Sequence, residues 1–161
     1  MASCSTLYAP PIQYVQHGNT SVLLHSIAVA YYSYYLSWYF HLNFRERELV
    51  RGALLHDYFL YDWHNSGEGH TFHAFTHARD AFVNAQKEFE LSRIEREVIK
   101  KHMFPLTPVP PLCREGLMVC LVDKGCSLYE TFKQNPYPML RKKFLSSLPL
   151  AEPLDDFSSD R

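Results

Sequence analysis

The stretch Gly52-Ala53-Leu54-Leu55-His56-Asp57 carries an adjacent imidazole and carboxylate at the end of an apolar run. Two such groups are costly to bury unless something satisfies them, and a divalent cation is a common partner for both. Neighbouring side chains on a helix diverge by about 100°, so one ion can use both only near a helix end. Further candidates lie along the chain. His25 sits inside the apolar segment Val22 to Phe40, and Asp123 follows Leu117-Met118-Val119-Cys120-Leu121-Val122. His77 opens one amphipathic segment, and His102 closes the next. Any one of them could be a hydrogen-bonded core histidine or an aspartate capping a turn. Together, four imidazoles and two carboxylates spread through apolar helices all require partners. One ion could take His25, His56, Asp57 and Asp123. A second could take His77, His102 and the other oxygen of Asp57, a bridge that holds two ions roughly 3.5–4 Å apart.

The elements that must position these groups read as helices throughout, which makes the fold class all-α. Residues 1–18 read as an irregular tail, with Pro10-Pro11 blocking early helix. Asn19, Thr20 or Ser21 can cap a long helix to about His41. Asn43, with Glu46 three residues on, reads as a capping box for a helix to about His56. Residues 57–72 read as a loop around Asn65-Ser66-Gly67-Glu68-Gly69, suited to a lid. Helical spacing of Ala78, Phe82, Ala85 and Phe89 places a helix over about 75–89. Ser92 and Glu95 form a second capping box, for a helix ending near His102. Pro105, Pro108, Pro110 and Pro111 mark a rigid extended connection. Helices over about 113–130 and 136–148 complete a single domain over 19–150, and 151–161 reads as a flexible tail. No segment shows strand periodicity.

Composition narrows the function classes. The chain has 161 residues, a formal net charge of -1 and nine histidines. No basic footprint points to a nucleic acid polymer. The segment Val22 to Phe40 lacks Asp, Glu, Lys and Arg, but its His25, serines and tyrosines make it a core helix rather than a membrane span. The start has no signal-peptide pattern. Cys4, Cys113, Cys120 and Cys126 form no CxxC pair and read as reduced thiols. These features lead to the expectation of a cytoplasmic protein with no membrane partner, monomeric or homodimeric.

The order His25, His56-Asp57, Asp123 resembles the signature of the HD-domain superfamily, metal-dependent phosphohydrolases with an all-α core. His77 and His102 are similar to the extra ligands of its six-ligand, dinuclear branch. The surroundings resemble small stand-alone bacterial members: Gln16-His17-Gly18, Ala53 to Asp57, Lys101-His102-Met103-Phe104-Pro105-Leu106 and Val122-Asp123-Lys124. The likeness spans about residues 14–132. The Gly-Tyr-Pro element and paired histidines of cyclic-di-GMP phosphodiesterases are missing, so that substrate is not implied.

The resemblance implies hydrolysis of a nucleotide or other small phosphoester by a hydroxide activated at two divalent ions (Mn, Fe, Co, Ni or Zn). Asp57 is then the central catalytic residue, and Lys124 a catalytic and phosphate-binding cation. By position, His17 before the first helix could contact substrate or only the helix entry, and His73, four before His77, could contact substrate or support a ligand, whereas His41, His64 and His70 suit surface or capping roles. The same ligands also resemble the mixed-valent di-iron oxygenases of the superfamily. A third reading, a non-enzymatic protein stabilised by metal, requires a site closed to water.

Overall fold

A computed structural model of the protein describes residues 15–17, 20–58 and 73–145. The expectations for the 59–72 loop, including His64 and His70, and for the tails at 1–14 and 146–161, including Cys4, lie outside these residues. The architecture is all-α. Helices α1 (Val22–Tyr39), α2 (Glu46–Leu55), α3 (His73–Glu88), α4 (Arg93–Lys101) and α5 (Arg114–Phe132) are followed by the short α6 (Pro138–Leu140). A π-helical turn, Arg141–Leu145, continues α6. No helix among the described residues is long and apolar enough to cross a membrane.

Each helix end has a local cause. Ser21 caps α1 by accepting the Leu24 N–H at 3.3 Å. The helix stops where His41 enters the left-handed region (φ 51°). There the Leu42 N–H reaches the Ser37 carbonyl (2.8 Å) and the His41 N–H the Trp38 carbonyl (3.1 Å), a Schellman closure. The capping box on α4 forms in both directions: the Glu95 N–H reaches Ser92 Oγ (3.2 Å), and the Ser92 N–H reaches Glu95 Oε2 (2.7 Å).

Three readings need correction. Asn43 does not cap α2; the cap position is Arg45, whose side chain makes no capping bond. Its N–H is instead taken by Glu115 Oε1 of α5 at 3.0 Å, so a distant carboxylate does the work expected of a local one. Residues 15–17 are not irregular: Val15–His17 (β1) pairs antiparallel with Thr20–Ser21 (β2). Strands of three and two residues are too short to register as periodicity. The proline-rich connection is not extended throughout; it begins as a turn with a cis Phe104–Pro105 bond. The Phe104 carbonyl accepts the Cys120 thiol at 3.0 Å, tying this turn to α5. Cys113, Cys120 and Cys126 are free thiols.

The core runs through the faces where α1, α2, α4 and α5 meet. Leu24, Ala28, Val29, Leu49, Ala53, Val98, Val119 and Val122 form one cluster; Val22, Leu55, Tyr58, Ala81, Ala85, Leu91 and Ile99 form another. Small residues let the helices approach closely. At Gly52 an added Cβ would sit 3.0 Å from Val98 Cβ and 3.1 Å from both its methyl carbons. That contact seats the end of α2, with His56, beside the end of α4, with His102. Gly52→Val should destabilise the fold by about 2 kcal/mol through overpacking, despite a gain in helix propensity. Urea denaturation compared with the parent chain checks this, and an unchanged midpoint would show that the two helices are not locked at this point.

Candidate metal centre

All six candidate ligands are brought together in the interior. His25, His56, Asp57, His77, His102 and Asp123 are all buried. His25 enters from the first turns of α1, and Asp123 from the middle of α5. His56 and His102 occupy the C-cap positions of α2 and α4. The helix-end geometry that lets adjacent His56 and Asp57 face one centre is therefore present. Ring contacts run from His25 to His56 (5.4 Å), His56 to His102 (4.9 Å) and His102 to His77 (5.3 Å between centroids).

Asp57 lies in the middle of this arc, and its two oxygens face different histidines. Oδ1 is 2.6 Å from His77 Nε2 and 3.3 Å from His102 Nε2. Oδ2 is 3.4 Å from His56 Nε2 and 3.7 Å from His25 Nε2. Asp123 Oδ1 lies 3.1 Å from His25 Nε2 and 3.7 Å from His56 Nε2. Three groups have donor atoms within 4.8 Å of one another: His25–His56–Asp57, His56–His102–Asp123 and Asp57–His77–His102.

The far side of each ring decides what its near side can do. His56 Nδ1 is 2.7 Å from the Ala53 carbonyl and His102 Nδ1 is 2.8 Å from the Ile99 carbonyl. A carbonyl only accepts, so both Nδ1 atoms carry hydrogen, and a neutral ring must present the bare Nε2 lone pair to the cluster. Both Nε2 atoms are buried without a hydrogen-bond partner although carboxylate oxygens lie within 4 Å. Lone pairs aimed at carboxylate oxygens repel unless a proton or a cation lies between them. Orientation of a ligand imidazole through its other nitrogen is also how metal-binding histidines are held. These residues could hold metal ions, and their donor set fits them.

His25 is held differently. Its Nδ1 is 2.9 and 3.0 Å from the two oxygens of Glu130, a fully buried residue that the sequence reading missed. The available signal was spacing: Glu130 lies seven residues after Asp123 on α5, and so on the same face. Lys124, expected at the site, stands at its rim. Its Nζ donates to Asp123 Oδ2 at 2.9 Å and to the His102 carbonyl at 2.5 Å. His17 lies in β1 and His73 opens α3, but both side chains fall outside the described residues. His41 is exposed at the end of α1.

Without an ion the cluster balances its charge with protons. Burial by itself would lower His25, but hydrogen bonds to Asp123 and Glu130 overcome it and raise the group to about 10. Burial opposes His56 as well, and the Asp57 and Asp123 charges raise it. Burial dominates at His102, which is lowered. Asp57 and Asp123 are held well below the usual carboxylate range, because the surrounding histidines outweigh a burial term that would raise them.

Comparison with known proteins leaves this reading on the residues themselves: no family model matches the chain, and neither a curated protein nor a solved structure does. What stands is a helical fold with a buried His/Asp cluster, compatible with the HD type.

Two outcomes follow. In metal-free protein, the raised His25 contributes stability that is fully present below its ordinary value of 6.5 and is lost as pH rises toward about 10. The lowered Asp57 and Asp123 contribute stability present above the ordinary carboxylate value of 3.8 and lost as pH falls through their depressed values. Thermal melts in chelator should therefore fall away on both sides, and a flat alkaline arm would contradict the His25 assignment. Glu130→Leu should weaken metal binding about 10- to 100-fold, while Glu130→Gln, which keeps an acceptor, should retain most of it. Competition with a chromophoric chelator measures both, with circular dichroism checking the fold.

Proposed function

We propose that the protein is a metal-dependent phosphohydrolase that binds two divalent ions and acts on a nucleotide or another small phosphoester. The observation that carries this reading is the division of labour at Asp57, with Oδ2 toward His25 and His56 and Oδ1 toward His77 and His102. One carboxylate facing two sets of imidazoles is the arrangement a shared ligand requires. Ions held there would supply Lewis acidity that activates water and offsets the charge of the reacting phosphate.

The chain's own residues support the choice of substrate. Asp57, Asp123 and the Glu130 behind His25 bring three negative charges and the neutral imidazoles none, so two dications would leave a formal surplus of about +1, suited to an anionic ester. Lys124 adds a cation at the rim, with its side chain 39% exposed and so within reach of an incoming phosphate. While it is bound to Asp123 it also restrains that carboxylate with Oδ1 toward His25. Ser127 Oγ donates to the same Oδ1 at 3.3 Å. A cytoplasmic setting accords with the free thiols of Cys113, Cys120 and Cys126.

Elemental analysis of protein purified without added metal should give two ions per chain, and manganese or cobalt should support phosphate release from small phosphoesters. Asp57→Ala should lose metal and turnover together. Turnover that consumes dioxygen and shows a mixed-valent iron signal would replace hydrolysis with the oxygenase reading. Full phosphate release by Asp57→Ala would remove the shared-ligand role.

A further inference from the structure

The outer face of α5 has no part in the metal centre. A helix lying on a fold buries one apolar stripe and turns polar residues to solvent. Helix α5 is apolar on both sides. Val119, Val122 and Cys126 enter the core, while Leu117, Leu121, Leu128 and Phe132 stand outside. Leu121, Leu128 and Phe132 are 72, 63 and 78% accessible, and Leu117 43%. Their spacing of four, seven and four residues keeps them in one row along the helix.

Gly125 fills the gap in that row, four residues after Leu121 and three before Leu128. It is exposed in mid-helix, and a Cβ added there would meet nothing within 4 Å. Glycine inside a helix is less stable than alanine, and no neighbour in the chain requires one here. A backbone approaching closely from outside would require it. Beside Gly125 a hollow of about 560 Å³ opens between α5 and α1, lined by residues that include Leu36, Phe40, Met118 and Leu121.

We propose that this row is the contact face of a homodimer in which two α5 helices cross antiparallel at Gly125. The row mirrors itself about that point. Such a crossing sets each residue against the partner residue equally far beyond Gly125: Phe132 meets the partner's Met118 and Leu121 meets the partner's Tyr129, each pair made twice. Phe132 therefore faces the partner's hollow, which Met118 lines. Antiparallel helices also oppose their dipoles favourably. The row itself carries no charge, and Lys124 beside it is bent back onto Asp123 Oδ2 and the His102 carbonyl. A stable dimer buries about 1,200–2,000 Å² in all. Exposed Tyr35 and Phe40, on the α1 wall of the hollow, widen the row toward that area. An unrelated chain would have no reason to match spacing that is its own mirror.

Sedimentation equilibrium of the full chain over a wide range of concentration tests this, and twice the mass of one chain is expected. Gly125→Leu, whose Cβ enters open space within one chain, should raise the dissociation constant at least about 30-fold with the fold intact. Leu121→Glu with Leu128→Glu should do the same, and metal content and circular dichroism should be unchanged in both variants. A parent chain that stays monomeric, or a dimer that Gly125→Leu leaves equally tight, would overturn the proposal. So would a monomer that Leu121→Glu with Leu128→Glu unfolds, because the row would then be covered by its own chain.

Discussion

The interior is organised by imidazole rings turned by their outer nitrogens. Ala53, Ile99 and Glu130 hold His56, His102 and His25 from behind, leaving Nε2 of each directed at the carboxylates of Asp57 and Asp123. Buried ionisable groups are tolerated only when paired, and here each pairing fixes a direction as well as a charge. The helices are subordinate to that requirement. Helices α2 and α4 end where their histidines must turn inward, and Gly52 against Val98 brings those two ends side by side.

The parts of this arrangement that could be read from the chain are those encoded over a few residues. Ser92 with Glu95 named a helix start because both halves of the box lie within one turn. His56-Asp57, after an apolar run, named a buried polar pair, and the remaining ligands followed from the same logic of polar groups stranded in apolar helices. The all-α class followed from helical spacing that is marked in α2, α3 and α4, and from the sheer length of the apolar segments in α1 and α5, where that spacing is weak.

What escaped reading depends on contacts made at a distance. Asn43 and Glu46 have the right spacing for a box, yet Glu115, seventy positions further on, captures the Arg45 N–H instead. Glu130 escaped because nothing adjacent to it in the sequence announces that His25 lies opposite. The β1–β2 pairing escaped because strands of three and two residues are too short to show alternation. The same long-range effect shapes the exterior: burial of Glu115, Asp123 and Glu130 removes every acid of α5 from solvent.

The backbone clamps on His56 and His102 share one interval, since each ring is held by the carbonyl three residues earlier. Inserting or deleting one residue between clamp and ring would swing the imidazole by about 100°. The final turns of α2 and α4 are therefore intolerant of changes in length, even where they accept changes in side chain. A gain or loss of residues is borne more easily in connections such as 103–112, where no imidazole waits on the count.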